Sequence, residues 1–268
     1  MTTTSTEPTI QHLFDLTGKV ALITGGTGWL GSAFSRALAE SGASVVISSR
    51  DARRAKEAAD QLSAPAGISH HGVELDHTDP KSIARGFAAA IAAAGHVDIL
   101  INNGLDPVKH DLTDCTFEEF VQQQINTAGY FELARLLRNH VVERGAGGSV
   151  VMLGSMYGQV ASYPDAYEGV AMASPVAYHA HKGGVIQITR HLATFYACDN
   201  VRVNCLSPGP FPASGAHPVQ VQRLCAKLPM GRMGEPHELK GALILLVSDA
   251  GSYITGQNIT VDGGWMAW

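Results

Sequence analysis

The chain has 268 residues, 45% hydrophobic and 16% charged, which is too apolar for a disordered chain and long enough to bury a sizeable core as one α/β domain. Its 19 basic and 24 acidic residues give a formal net charge of −5 without a long basic run, which argues against nucleic acid or an acidic membrane as partner and for a small molecule. The four cysteines (Cys115, Cys198, Cys205, Cys225) form no CxxC pair, so neither a disulfide framework nor a zinc ribbon is indicated.

Residues 1–14 open Ser/Thr-rich, without the basic start and apolar stretch of a signal peptide, and no later segment reaches 18 uninterrupted apolar residues. The expectation is a flexible tail, a single domain over 15–268 and a cytoplasmic protein. Short apolar runs then alternate with Ala-rich stretches of helical period, the pattern of βα units and a parallel sheet. Strands are predicted at 19–24, 44–48, 97–101, 149–153 and 201–205, with weaker candidates at 68–75 and 257–261. Helices are predicted near 30–41, 51–62, 80–94, 116–143, 175–197 and 236–248; Asp79-Pro80 supplies a capping carboxylate and a Pro at the first helical position. The Gly/Pro-rich stretches 158–174 and 207–218 are long for connections and read as substrate walls.

The first strand runs into Thr24-Gly25-Gly26-Thr27-Gly28-Trp29-Leu30-Gly31 and then a helix. Unpaired N–H groups and the positive end of a helix dipole meet there, which suits a pyrophosphate, and the glycines satisfy GxGxxG with the strand before and helix after that a dinucleotide site needs. Where NAD-selective folds place a carboxylate at the end of the second strand, this chain has Ser49-Arg50, whose guanidinium suits a 2′-phosphate, so NADP(H) is favoured over NAD(H). The adjacent Asp51 is positioned to neutralise Arg50. Far downstream, Tyr178 and Lys182 stand four apart in a helical stretch, so phenol and ammonium share a face, and the cation is expected to lower the phenol's pKa for acid/base work on a carbonyl/alcohol couple. His179 and His181 fall on other faces, and His70, His71 and His77 match no zinc-ligand pattern, so no metal is expected.

Together with Gly154-Ser155 after a strand, Asn126 inside a helix and Asn204-Cys-Leu-Ser-Pro208-Gly209, these motifs resemble the short-chain dehydrogenase/reductase family from about Leu16 to the C-terminus. The resemblance implies a single-domain, doubly wound Rossmann fold with a seven-stranded parallel sheet. It maps a catalytic tetrad onto Asn126, Ser155, Tyr178 and Lys182: Tyr178 exchanging the proton, Ser155 bonding the substrate oxygen, Lys182 holding the nicotinamide ribose, Asn126 anchoring a relay water. It further implies Asp76 near the adenine, Asn102, Asn103 and Gly104 beside the ribose, and Pro208, Gly209 and Phe211 along the nicotinamide. The family's usual Gly is replaced by Trp29, whose side chain must then point away, and Ala213-Ser214 stand where a Thr is common. A homotetramer, packed through the long fourth and fifth helices and the C-terminal strand, is the family expectation.

Ser155 and Tyr178 are 23 positions apart, longer than usual in the family, and the extra segment re-enters beside Tyr178. With the ending Trp265-Met-Ala-Trp268 it resembles members linked to bacterial carbohydrate and surface-glycan pathways. The expected reaction is hydride transfer between nicotinamide and a secondary alcohol or ketone of a sugar- or polyol-like substrate. Ser155, Tyr157, Tyr163, Tyr167, Glu168, Phe211 and Trp268 are the candidate substrate contacts, by stacking and hydrogen bonding to a hydroxylated ring. The rival readings are a nucleotide-sugar epimerase or dehydratase, suggested by TGxxGxxG but disfavoured by the four residues left after Gly264, and a cofactor-binding protein without catalysis.

Overall fold

The computed structural model describes residues 7–65, 67–108, 110–172, 174–213 and 215–268. Seven parallel strands, β1 (Val20–Thr24), β2 (Ser44–Ser49), β3 (His71–Glu74), β4 (Ile99–Asn102), β5 (Gly148–Leu153), β6 (Val201–Pro208) and β7 (Asn258–Val261), form one sheet in the order β3-β2-β1-β4-β5-β6-β7. The helices are α1 (Ile10–Leu13), α2 (Trp29–Glu40), α3 (Ala52–Asp60), α4 (Pro80–Ala94), α5 (Phe117–Glu143), α6 (Pro164–Tyr167), α7 (Val176–Tyr196), α8 (Pro218–Cys225) and α9 (Lys240–Val247).

The five inner strands are buried on both faces, which is why they read as continuous apolar runs, while the edge strands β3 and β7 are only partly buried. Within β1 the side chains alternate: Val20 and Leu22 enter a core shared with Phe87, Leu133 and Val185 from α4, α5 and α7, while Ala21 and Ile23 enter the opposite core with Phe34, Leu38 and Leu243 from α2 and α9. Burying each such Leu, Ile or Phe stabilises the fold by roughly 1.5–3 kcal/mol. The apolar 241–247 stretch is spent in this second core, where Leu243, Ile244, Leu246 and Val247 are buried.

The two long connections carry structure that periodicity did not reveal. α6 and α8 each start on a Pro at the first helical position, and with Met156, Tyr157, Leu228 and Trp265 they enclose a small third core below the C-terminal ends of β5 and β6. The 236–248 prediction divides into a 3₁₀ turn at Pro236–Leu239 and α9. Part of the expected tail is ordered as α1, capped by the Thr9 side chain. The order of strands reverses between β1 and β4, and the crevice beyond their C-terminal ends is where an α/β sheet of this kind accepts a ligand.

Candidate active site

β1 ends in a turn that only glycine allows at two points. Gly25 has φ +62°, and a Cβ on Gly31 would lie 2.1 Å from the Gly25 carbonyl oxygen. Gly28 caps α2 without a side-chain bond, so N–H groups of the first turn stay available at the positive end of the helix. Asn103, just past β4, donates through Nδ2 to the Thr24 and Gly25 carbonyls at 3.0 Å each, and Thr24 Oγ1 accepts from the N–H groups of Asn103 (3.0 Å) and Gly104 (2.9 Å). These bonds clamp the two strand ends on either side of the crevice. The result is a cleft of about 440 Å³, a cradle that a dinucleotide pyrophosphate fits.

Gly25, Thr27, Gly28, Trp29, Leu30 and Gly31 line it on one side, and Ser49, Arg50, Asn103 and Gly104 on the other. Gly26 faces a neighbouring hollow instead, and the Trp29 indole is 47% exposed at the mouth. Three expectations are corrected. Asp76 does not line the cleft: its carboxylate is turned back onto the Thr78 N–H (2.9 Å) and hydroxyl (2.7 Å), and Leu75 and His77 take its place. Asn102 is buried, donating to the Tyr130 carbonyl at 2.9 Å. Nor does Asp51 neutralise Arg50, since it caps α3 by accepting from the N–H groups of Arg53 and Arg54; Arg50 pairs at 3.2 Å with Asp106, from the loop after β4.

Ser155 and Tyr178 line a second cavity, also of about 440 Å³, which opens between the ends of β5 and β6 and the two long connections. Ser155 follows Gly154, where a Cβ would strike the Ser207 hydroxyl at 2.4 Å, and its Oγ accepts the Tyr157 N–H at 3.1 Å. Tyr178 is on the first turn of α7. Burial pushes its phenol up, and a hydrogen bond with Ser155 pulls the other way. Lys182, one turn on, is buried with Nζ 5.6 Å from the Tyr178 ring centre, and donates to the Leu153 carbonyl at 2.6 Å. Burial holds its ammonium at about 8, so the expected lowering of the phenol by a nearby cation is outweighed here by desolvation of both groups.

Asn126 stands behind the cavity wall, fully buried on α5. Its Oδ1 accepts from His77 Nε2 and from the Asp106 N–H at 2.8 Å each, and its Nδ2 donates to the carbonyls of Asp106 (3.1 Å) and Gln123 (2.9 Å). The amide is saturated, so a water at Asn126 has to use its backbone. His77 is neutral, its pKa lowered by burial, and is the N–H donor of its pair.

Of the remaining substrate candidates, Tyr157, Tyr167 and Phe211 line the cavity, as do Gly209 and Pro210. Pro208 is buried at the end of β6, and Ser214 lies outside the described residues. Tyr163, Glu168 and Trp268 do not line the cavity. Tyr163 packs edge-on against Trp265 and under Lys227, the Glu168 backbone carbonyl accepts from Arg223, and the Trp268 indole donates to the Lys227 carbonyl. Those three residues hold the connections together from outside. Sequence reasoning missed Gln123, Met156 and Met233 on the wall, whereas Met172 falls in the 158–174 stretch expected there; Gln123 was accessible in principle, since it precedes Asn126 by three residues on the same helical face. His179 stacks on Tyr157 with ring centres 4.9 Å apart, and His181 is buried against Tyr130. Among the described residues no group of three or more metal-ligating side chains occurs, and no helix is long and apolar enough to cross a membrane.

A family model described as Enoyl-(Acyl carrier protein) reductase matches residues 28–266. The chain is 35% identical to galactitol 2-dehydrogenase (L-tagatose-forming) of Cereibacter sphaeroides over 266 residues, covering 96% of this chain and 99% of the relative. It is 31% identical to D-arabinitol 2-dehydrogenase [ribulose-forming] of Scheffersomyces stipitis, covering 95% and 96%. A short-chain type dehydrogenase/reductase from Mycobacterium marinum superposes with a TM-score of 0.87 at 30% identity, covering 97% of this chain and 100% of that one. A gluconate 5-dehydrogenase from Burkholderia cenocepacia, solved with NADP and tartrate, gives 0.84 at 27% identity, covering 96% and 99%. With its parallel sheet, glycine turn and Tyr178-x-x-x-Lys182 helix, the chain belongs to the short-chain dehydrogenase/reductase family.

Proposed function

We propose that the chain is an NADP(H)-preferring oxidoreductase that interconverts a secondary alcohol and a ketone on a neutral, polyol-like substrate. A dinucleotide held at its pyrophosphate by the glycine turn would bring its nicotinamide to the Ser155–Tyr178 cavity, where it would supply or accept the hydride. Tyr178 gives the proton to the substrate oxygen in reduction and takes it in oxidation; Ser155 holds that oxygen by a hydrogen bond, and Lys182 biases the phenol from behind and would hold the cofactor's nicotinamide ribose. Asn126 braces the wall between the two cavities. The polyol reading draws on the galactitol and arabinitol enzymes, and the NADP reading on Ser49-Arg50 together with the NADP-bound gluconate dehydrogenase.

The observation that carries the proposal is the pairing of Ser155 and Tyr178 on one cavity wall with a buried Lys182 one helical turn behind. Purified Tyr178→Phe is the test: it should retain nucleotide binding and lose about three orders of magnitude or more in turnover of galactitol, arabinitol or their ketoses. Turnover equal to wild type would sink the mechanism. Assembly as a homotetramer is proposed on the exposed Phe117 and Phe131 of α5 and Phe195 of α7, and light scattering reads it directly.

A further inference from the structure

The cavity that holds Ser155 and Tyr178 is largely apolar, walled by Met156, Met172, Phe211, Val221, Leu224 and Met233. No described residue on its lining is an Asp, Glu, Lys, Arg or His. Besides Ser155 and Tyr178, its polar side chains are Gln123, Tyr157, Tyr167, Ser174 and Gln220. The Tyr157 and Tyr167 hydroxyls bond to each other, which consumes one of their two protons, and burial pushes both phenols up so that they stay neutral.

Gln123 differs from these. It is 0% exposed, it lines the cavity, and its Oε1 accepts the Val108 N–H at 3.0 Å. That bond fixes which way the amide points, because a backbone N–H can only donate and so must face the oxygen. The Nε2 end is then committed to the other side, where it is buried and has no partner among the described residues. A buried amide N–H left unpaired is costly, and the natural reason for keeping one is a ligand atom that completes it.

We infer that Gln123 Nε2 is a specificity-determining donor that recognises a second oxygen of the substrate, distinct from the oxygen held by Ser155 and Tyr178. The inference rests on the proposed function for the position of the reacting oxygen and narrows its substrate class. The partner must be an acceptor: a hydroxyl, carbonyl or ether oxygen. A carboxylate would also accept, but burying its charge where the described lining offers no cation is strongly unfavourable. The cavity thus selects a neutral hydroxy ketone or diol with an apolar flank over a sugar acid.

The test uses binding to the NADPH-loaded enzyme, a combination in which an alcohol cannot be oxidised. Titration calorimetry compares 1,2-cyclohexanediol, cyclohexanol and 2-hydroxycyclohexanecarboxylate on wild type, on Gln123→Glu, which keeps the acceptor for Val108, and on Gln123→Met. Thermal unfolding of each variant checks the fold. Wild type should bind the diol at least about fivefold tighter than cyclohexanol and the hydroxy acid weakest, and the diol preference should collapse to within about twofold in both variants. Equal binding of diol and cyclohexanol by wild type, tighter binding of the hydroxy acid, or a preference unchanged in both variants would overturn the assignment, leaving Gln123 paired with water alone. Parallel assays with NADP⁺ separate the two claims. A Gln123-dependent preference without oxidation removes the redox reading and keeps the recognition site, whereas oxidation without the preference does the reverse.

Discussion

Lys182 holds its ammonium 5.6 Å from the centre of the Tyr178 ring, one helical turn away. The ammonium is buried at that distance, and its pKa falls to about 8 while the phenol's rises. As pH rises through about 8, Lys182 loses its charge before Tyr178 loses its proton. Reductive kcat/KM should therefore decline above about pH 8. Lys182→Met should lower the rate by roughly 10²–10⁴ and abolish that titration. A wild-type profile that stays flat from pH 7 to 9.5 would contradict the role assigned to the ammonium.

Arg50 meets Asp106 across the mouth of the cofactor cleft at 3.2 Å, with the guanidinium side 67% exposed. A 2′-phosphate has to compete with that carboxylate. Asp106→Asn leaves the backbone bonds of residue 106 to Asn126 in place and removes only the competing charge. Binding of 2′,5′-ADP should tighten up to about fivefold, the scale of an exposed ion pair, with 5′-AMP unaffected and the gain fading at high salt. Calorimetry with the two nucleotides reads this directly; equal changes for both would place the effect outside the phosphate site.

The wall of the second cavity gives a differential prediction. Tyr167→Phe strips the Tyr157 hydroxyl of its buried partner and should cost about 1–2 kcal/mol of stability, measured by denaturant unfolding. Trp268→Ala touches an exposed indole away from the cavity and should change KM less than about twofold. A large KM effect from Trp268→Ala would return that residue to the substrate.

The pattern of these corrections has a physical basis. The five inner strands announce themselves as apolar runs, whereas the edge strands β3 and β7, only half-buried, gave weaker signals; the glycine turn was visible because its backbone excludes a Cβ at Gly31. Longer helices were visible as Ala-rich stretches of helical period and by their caps, such as Asp79-Pro80 at the start of α4. α6, with four residues, is too short to show a period, so the side of the connection on which Tyr163, Tyr167 and Glu168 would fall could not be read. Pairings across the fold were equally hidden: Arg50 with Asp106 is 56 residues apart, and His77 with Asn126 is 49. The orphan amide of Gln123 depends on the Val108 N–H, which no spacing rule specifies.

His181 provides the clearest link between the site and stability. Its ring is 0% exposed, edge-on to Tyr130 with centres 5.6 Å apart, with Nδ1 2.7 Å from the Thr127 hydroxyl and Nε2 buried without a partner among the described residues. Burial, helped by the Lys182 charge and by His77, holds its pKa at about 3 against an ordinary 6.5. The unfolded chain therefore binds a proton between pH 6.5 and about 3 that the folded chain refuses. Stability is full above pH 6.5 and falls as pH drops through that window, by up to about 1.4 kcal/mol per pH unit from this one group. His77, also lowered by burial, adds to the slope in the same direction. His181→Phe should be less stable than wild type at pH 7, having lost the Thr127 bond, yet lose stability more slowly between pH 6.5 and 4. Urea unfolding at pH 7, 6, 5 and 4 measures both curves, and parallel curves would mean that His181 already carries its proton in the fold.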